Sequence, residues 1–164
     1  MNYPTWTPTY IGIGSNLDNP RMQVMRGIDA LASLSETQLV ARSKLYESAP
    51  LGPQDQPHYV NAVAGVLTSL DASELLAQLK VLEKKMGRAQ PIVRWGPRVI
   101  DFDLLVFGDL RLASDELNVP HPEIAKRAFV IVPLMEIAPH LDIPGIGRIE
   151  SLATGIDVSS LQAV

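Results

Sequence analysis

The sequence predicts an α+β fold, namely a ferredoxin-like βαββαβ sandwich with an antiparallel sheet and helices on both faces. Two observations lead to this prediction. Segments with the period of a strand and of a helix alternate in the order strand, helix, strand, and this order then repeats. The second and third strands follow each other without a helix between them, which favours an antiparallel pair. The two long helices should cover one face, and the C-terminal third should cover the other face or extend the sheet.

The first element is a short β-rich run over residues 9–13, which ends in a Gly-Ile-Gly-Ser-Asn segment that we interpret as a turn. Its glycines, Gly12 and Gly14, lack the spacing of a nucleotide-binding loop, so we assign them to tight packing and to the turn. Pro20 can occupy the first turn of a helix that continues to residue 33. Residues 38–46 then predict the second strand.

The middle of the chain predicts a stiff loop, a strand and a helix. Residues 48–57 contain three prolines and a glycine, which restrict the backbone. A long strand is expected over residues 58–70. Asp71 and Glu74 are typical of a capping box for a helix over residues 72–86, which Gly87 would end.

The rest of the chain is less clearly patterned. A strand that carries two aspartates is closed by Gly108, and residues 110–113 could return beside it as a short partner. Residues 123–127 predict a helical turn. The apolar segment 129–137 fits a helix better than a strand, although its β-branched residues leave the strand open.

Length and composition favour one domain over residues 10–164, preceded by a loosely docked tail over residues 1–9. The chain has 164 residues and no cysteine, so disulfides, thiolate metal sites and cysteine nucleophiles are excluded. The N-terminus lacks the charged region of a signal peptide, and the apolar runs are too short to cross a membrane. We therefore expect a cytoplasmic protein. The net charge of −4 argues against general nucleic-acid binding.

The most informative segment is residues 94–103, with the sequence RWGPRVIDFD. Side chains alternate along a strand, so Asp101 and Asp103 should project from one face. Two carboxylates within an apolar strand are costly unless they are paired or bind a cation, and oxygen ligands of this kind suit Mg²⁺. Residues 84–98 contain five Lys or Arg and no Asp or Glu, which indicates an anionic ligand nearby. The alternatives are a solvated acidic pair and a solvated basic loop.

Several motifs in order resemble 6-hydroxymethyl-7,8-dihydropterin pyrophosphokinase of folate biosynthesis. The resemblance covers residues 10–139. Its motifs are LGPQDQP at 51–57, followed by Tyr59 and Asn61, then RWGPR at 94–98, Asp101-x-Asp103, VPH at 119–121, Arg127 with Phe129, and PLMEIAP at 133–139.

The resemblance implies an enzyme that transfers a diphosphoryl group from ATP to the hydroxymethyl oxygen of 6-hydroxymethyl-7,8-dihydropterin, giving AMP and the pterin diphosphate. It also implies two Mg²⁺ ions, with ATP as co-substrate, and we expect a monomer that binds neither nucleic acid nor a membrane. The catalytic residues that it implies are Arg88, Arg98, Asp101 and Asp103, of which Asp101 and Asp103 would be the metal ligands.

The resemblance further implies two sets of binding residues. The residues implied to bind the pterin are Ser48, Pro50, Leu51, Tyr59, Asn61, Trp95 and Phe129. The residues implied to bind ATP are Glu83, Arg88, Arg94, Arg98, Leu104, His121 and Arg127. The loop between Gly87 and Pro97 would act as a lid.

Four positions depart from the pattern of the best-known members of the family: Lys80, Gln90, Glu116 and Pro122. These departures put individual ATP contacts in doubt, and the change at Gln90 could slow the chemical step. Two other functions stay open at this point, and the changes at Gln90 and Glu116 favour the second of them. One is a phosphotransferase with a different acceptor, and the other is a catalytically weak module that binds a pterin or a nucleotide.

Overall fold

The structure is a computed structural model that describes residues 3–50, 55–87 and 98–164. No helix within these ranges is long and apolar enough to cross a membrane. The helices are α1 (Pro20–Leu31), α2 (Ala72–Lys85), α3 (Ala128–Ile137) and α4 (Ile149–Thr154), with a 3-10 turn at Ile124–Lys126. The strands are β1 (Thr7–Ser15), β2 (Thr37–Arg42), β3 (Tyr46–Ser48), β4 (Tyr59–Thr68), β5 (Asp101–Phe107), β6 (Leu112–Ala113), β7 (Asn118–Val119), β8 (Asp142–Ile143), β9 (Gly147–Arg148) and β10 (Gln162–Ala163).

Six strands form the main sheet, in the order β10-β3-β4-β1-β5, with β2 also paired with β4. All the pairings are antiparallel, so the predicted antiparallel sheet is confirmed. The predicted second strand is divided into β2 and β3. At the break, the Ser43 backbone N–H still donates to the Val63 carbonyl at 2.9 Å, but the Val63 N–H donates to the Ser43 hydroxyl at 2.9 Å, so a side chain replaces one backbone acceptor of the ladder.

Strand β1 extends further in both directions than the sequence predicts. It begins at Thr7, within the predicted tail, and it continues through Gly12 and Gly14 to Ser15. The interpretation of the two glycines as part of a turn is wrong, because both pair with β4 on one side and with β5 on the other. Neither glycine has a positive φ. They are ordinary strand residues that lack a side chain.

Helices pack on both faces of the sheet. The larger core joins α1 and α2 to inward residues of the strands such as Ile13 and Phe102. The second core joins α3 and α4 to Val63 and Leu105. Burying these apolar faces stabilises each layer by roughly 25 cal/mol per Å² of apolar surface removed from water.

Most of the local signals from residue 71 onwards predicted the structure correctly. Asp71 caps α2 by accepting a hydrogen bond from the Glu74 backbone N–H at 2.8 Å. Gly87 follows the helix with a φ of 96°, a conformation that favours glycine. The apolar segment 129–137 is helical, within α3. The return strand differs from the prediction, because β6 pairs with β7 and not with the aspartate-bearing strand.

Candidate active site

A cleft of about 370 Å³ lies on the sheet face that α3 covers. Its walls come from β1, β3, β4 and β5 and from the segment around residues 121–130. Nine of the residues predicted to be functional line this cleft: Ser48, Tyr59, Asn61, Arg98, Asp101, Asp103, His121, Arg127 and Phe129. The structure therefore brings together both predicted carboxylates and some of the residues expected to contact the pterin and ATP.

The two carboxylates project from one face of β5, as the alternation of side chains predicts. Asp101 lies opposite Gly14 of β1, and Asp103 lies opposite Gly12. Arg98 donates a hydrogen bond from Nη1 to Asp101 Oδ1 at 3.2 Å, and this ion pair is largely shielded from water. Burial, together with the charge of Asp101, raises the pKa of Asp103 from 3.8 to about 7. The guanidinium groups of Arg127 and Arg98 act in the opposite direction.

These properties fit a divalent cation. Mg²⁺ is commonly held by one or two protein carboxylates, and water and phosphate oxygens complete its shell. Among the residues that the structure describes, no group of three or more His, Cys, Asp or Glu side chains could hold a metal. Asp101 and Asp103 instead supply two carboxylates, a number that is sufficient for Mg²⁺ when water and phosphate oxygens fill the remaining positions. A cation beside it would offset the repulsion that raises the Asp103 pKa.

The wall opposite the sheet carries a cation and an aromatic ring at the start of α3. The guanidinium carbon of Arg127 lies 5.6 Å from the centroid of the Phe129 ring. This distance falls within the range of a cation–π contact, which fixes the two side chains relative to each other. The sequence predicted both residues for the site but not their contact.

On the sheet side, Asn61 and Ser48 form a buried polar pair. Asn61 Nδ2 donates to Ser48 Oγ at 2.8 Å, and both residues are less than a tenth exposed. This bond orients the amide and leaves its Oδ1 beside Gly14. Tyr59 is two residues away on the same strand and lines the cleft with Asn61. Pro50 is buried just beyond Ser48, and Leu51 lies outside the described residues.

Glu136 connects two elements that line this part of the cleft. Its Oε2 accepts a hydrogen bond from the Lys44 backbone N–H at 2.9 Å, and its Oε1 accepts one from the Tyr46 hydroxyl at 2.6 Å. Burial and the Glu136 carboxylate raise the pKa of Tyr46 to about 12. Glu136 thereby ties α3, which carries Phe129, to β3, which carries Ser48.

His121 is held in the neutral form. Its backbone N–H donates to the Leu105 carbonyl at 2.8 Å, and its Nδ1 accepts from the Glu123 backbone N–H at 3.1 Å. Burial, followed by the charge of Arg127, lowers the pKa of this histidine. With Nδ1 used as an acceptor, Nε2 carries the proton and can donate a hydrogen bond.

Two residues predicted to bind ATP lie away from the cleft. Leu104 is 4% exposed and packs in the core between the sheet and α1 and α2. Glu83 is buried on α2, where its Oε1 accepts from the Phe102 backbone N–H at 2.9 Å. Its charge also raises the pKa of Asp103. Contacts between these two residues and ATP stay predictions.

Of the remaining predicted positions, some lie outside the described residues and others lie on the surface or in the wall of the cleft. Arg88, Gln90, Arg94 and Trp95, and with them the predicted lid loop, lie outside the described residues. Lys80 and Glu116 are exposed, and neither lines the cleft, whereas Pro122 does.

Asn16, which is 1% exposed, was not among the residues predicted for the site. Its Nδ2 donates to Gln56 Oε1 at 2.9 Å and to the Pro57 carbonyl at 3.0 Å. Its Oδ1 accepts from the Arg98 backbone N–H at 2.8 Å, and its own N–H donates to the Arg98 carbonyl at 3.0 Å. One side chain thus joins the end of the proline-rich loop to the segment that delivers Arg98. Its position after the glycines suggested only a turn.

Comparison with known proteins identifies related enzymes. The family model for 7,8-dihydro-6-hydroxymethylpterin-pyrophosphokinase matches residues 10–139. The chain is 47% identical over 135 residues to the 2-amino-4-hydroxy-6-hydroxymethyldihydropteridine pyrophosphokinase of Pseudomonas aeruginosa, with 82% of this chain and 83% of that protein covered. It is 46% identical over 135 residues to the Haemophilus influenzae protein of the same name, with 82% and 84% covered.

Comparison with solved structures shows that the fold is shared with a protein whose name contains HPPK. The crystal structure of the wild-type Plasmodium falciparum HPPK-DHPS protein with pteroate matches with a TM-score of 0.73. The match covers 94% of this chain and 43% of that one, at 13% sequence identity. At so low an identity the likeness concerns the fold alone.

Proposed function

Because the chain belongs to the 7,8-dihydro-6-hydroxymethylpterin-pyrophosphokinase family, we propose that the cleft between β5 and α3 is where it carries out the family's reaction. The protein is an ATP-dependent diphosphotransferase of folate biosynthesis. It transfers diphosphate from ATP to the hydroxymethyl group of 6-hydroxymethyl-7,8-dihydropterin and releases AMP and the pterin diphosphate. Neither a different acceptor nor a weak binding module is favoured by any relative named above.

The observation that carries this assignment is the meeting of two kinds of side chain in one cleft. Asp101 and Asp103 suit a metal–polyphosphate group, while Tyr59, Asn61 and Phe129 suit a flat heterocycle with hydrogen-bonding edges. A transfer between two substrates requires both to bind within reach of each other.

In the proposed reaction the hydroxymethyl oxygen forms a bond to the β-phosphorus of ATP. The bond between that phosphorus and the oxygen bridging to the α-phosphorus breaks, and AMP leaves with the bonding electrons. The hydroxyl proton is released. The proposed ligands of Mg²⁺, with two ions in all, are Asp101 and Asp103. Bound Mg²⁺ offsets the negative charge that develops on the phosphate oxygens.

We assign the cationic residues to the phosphates and the aromatic residues to the pterin. Arg98 and Arg127 have guanidinium groups that match phosphate geometry, and neutral His121 can add a donor from Nε2. Arg88, Arg94, Glu83 and Leu104 belong to the proposed ATP contacts on the family resemblance alone.

Tyr59 and Phe129 would hold the pterin ring between them, and stacking of this kind contributes about 1 kcal/mol per contact beyond area burial. The amide of Asn61, oriented by Ser48, would read the ring edge. Pro50, Leu51 and Trp95 complete the proposed set.

We also propose that the sandwich is ferredoxin-like. If β2 and β3 count as one interrupted strand, the elements through β5 follow the order βαββαβ, which supports this assignment. A single domain over residues 10–164 and a cytoplasmic monomer stay predictions.

The assay for this proposal follows the nucleotide product by ³¹P NMR. ATP and Mg²⁺ are incubated with the protein, with and without 6-hydroxymethyl-7,8-dihydropterin. AMP that forms only with the pterin is the expected result, and Asp101→Asn should abolish it. Formation of ADP would indicate another phosphotransferase, and no nucleotide product would indicate a binding module.

A further inference from the structure

A single row of residues crosses the sheet through both halves of the cleft. Asp101 of β5 pairs with Gly14 of β1, Gly14 pairs with Asn61 of β4, and Asn61 pairs with Tyr46 of β3. Directly opposed residues of antiparallel strands project their side chains from the same face. Neighbouring strands lie about 4.8 Å apart, so the backbones of Asp101 and Asn61 are about 10 Å apart with Gly14 midway.

Gly14 therefore lies between the group proposed to hold the metal and phosphates and the group proposed to read the pterin. On the proposed function, the hydroxymethyl arm of the pterin must extend from Asn61 towards Asp101 so that its oxygen can attack the β-phosphorus of ATP. The only position of the row between them is Gly14. Its missing side chain leaves that space open.

The surroundings of Gly14 show why a side chain would not fit. A Cβ at this position would lie 2.9 Å from Asn61 Oδ1 and 3.7 Å from Tyr59 Cδ1. Asn61 cannot turn away freely, since its Nδ2 is bonded to Ser48 Oγ at 2.8 Å and both residues are buried. Gly12 differs, because its Cβ would meet Leu105 at an ordinary 3.5 Å.

The backbone at Gly14 does not itself require glycine. Its φ is not among the positive values of the described chain, so alanine can adopt this conformation. The requirement is for space within the cleft. We propose that Gly14 is a specificity-determining position that keeps open the passage through which the acceptor's hydroxymethyl group reaches the phosphates.

This inference rests on the proposed function and is tested with Gly14→Ala. The matched control is Gly65→Ala, which adds the same methyl group to a strand glycine outside the cleft. There the new Cβ would lie 3.4 Å from its nearest neighbours, the Tyr10 ring and the Ala41 Cβ. Thermal unfolding of both variants is measured first.

Gly14→Ala should lower kcat/KM for the hydroxymethyl pterin at least tenfold, while its dissociation constant for α,β-methylene-ATP with Mg²⁺ stays within twofold of the wild-type value. Gly65→Ala should match the wild type in both. Gly14→Ala with an unchanged kcat/KM for the pterin would overturn the inference, as would an equal loss of nucleotide binding. Wild-type protein that makes no AMP would instead refute the proposed function.

A second measurement needs no variant. In the complex of wild-type protein with Mg²⁺, α,β-methylene-ATP and the pterin, the Gly14 Hα protons should show nuclear Overhauser effects to the hydroxymethyl protons. Effects from those protons to Tyr59 without any to Gly14 would contradict the proposed passage.

Discussion

If Asp103 is a metal ligand as proposed, its half-buried carboxyl should make binding of the metal–nucleotide complex depend on pH. Its pKa of about 7 in the protein means that about one-tenth of the molecules carry the ionised form at pH 6 and about nine-tenths at pH 8. Only the ionised form is a ligand for Mg²⁺. At the proposed site, the proton on this group would therefore compete directly with the metal.

The size of the effect follows from these fractions. Affinity for Mg²⁺ with α,β-methylene-ATP should rise about tenfold from pH 6 to pH 8, which corresponds to about 1.4 kcal/mol. The terminal phosphate of the nucleotide also loses a proton in this range. Asp103→Asn retains that contribution and lacks the carboxyl, so the wild type should show the steeper dependence on pH. Isothermal titration calorimetry measures both.

The titration of Asp103 can be observed directly by ¹³C NMR of its carboxyl carbon in metal-free protein, with Asp103→Asn used for assignment. The midpoint should lie near pH 7. In Asp101→Asn it should fall, because a neighbouring negative charge is lost, but it should stay above 3.8 because burial remains. A wild-type midpoint near 4, or an affinity that is equally dependent on pH in Asp103→Asn, would refute the reasoning.

The same shift has a consequence for the stability of the metal-free protein. A carboxyl whose pKa is raised on folding binds its proton more tightly in the folded state. Its stabilising contribution is therefore fully present below about pH 4 and is lost as the pH rises through about 7. The Tm of the wild type minus the Tm of Asp103→Asn should therefore fall as the pH rises over that interval.

Three further predictions concern residues that support the fold and the cleft. Asp71→Ala removes the cap of α2 and should lower the free energy of unfolding by about 1 kcal/mol in a urea titration. Its kcat/KM should stay within twofold of the wild-type value. An unchanged urea midpoint would contradict a stabilising role of the cap. Tyr46→Phe should remove the tyrosine that titrates near pH 12. Because the pKa of Tyr46 is raised from 10 on folding, this side chain contributes stability below pH 10, and the contribution is lost as the pH rises through 12. Equal stability of Tyr46→Phe and the wild type at pH 8 would argue against the bond to Glu136. Asn16→Ala leaves the Arg98 backbone N–H without its acceptor, so it should lower the free energy of unfolding by about 1–3 kcal/mol and should also lower kcat. An unchanged kcat would show that the link to Arg98 has no role in turnover.

Local patterns were sufficient for most of the helices and for the acidic pair, but not for the bounds and partners of several strands. The alternation of side chains along a strand depends only on neighbours in sequence, so Asp101 and Asp103 could be placed on one face without a structure. The cap at Asp71 and the end of α2 at Gly87 are equally local signals. The assignment of the pterin contacts came from resemblance to the family and not from periodicity.

The features that the sequence did not reveal depend on partners far away in the chain. Asn16 bonds to Gln56 and to Arg98, which are 40 and 82 residues further on. The break between β2 and β3 depends on Ser43 and Val63, which are 20 residues apart. The proposed role of Gly14 depends on Asn61 across the strand pair, and a glycine in a strand does not by itself indicate which side chain would clash with a Cβ there.

The two hydrogen bonds that Glu136 accepts from Lys44 and Tyr46 have a consequence for the entropy lost when a ligand binds in the cleft. The proposed slot for the pterin ring lies between Phe129 of α3 and Tyr59 of β4. Glu136 joins α3 to β3, which pairs with β4, and both of its carboxylate oxygens take part. A slot whose width is set before the ligand arrives loses little conformational entropy when a flat ring enters it. Rigid planar bicyclic compounds should therefore bind more tightly than flexible compounds of the same size, because less conformational entropy is lost when they bind.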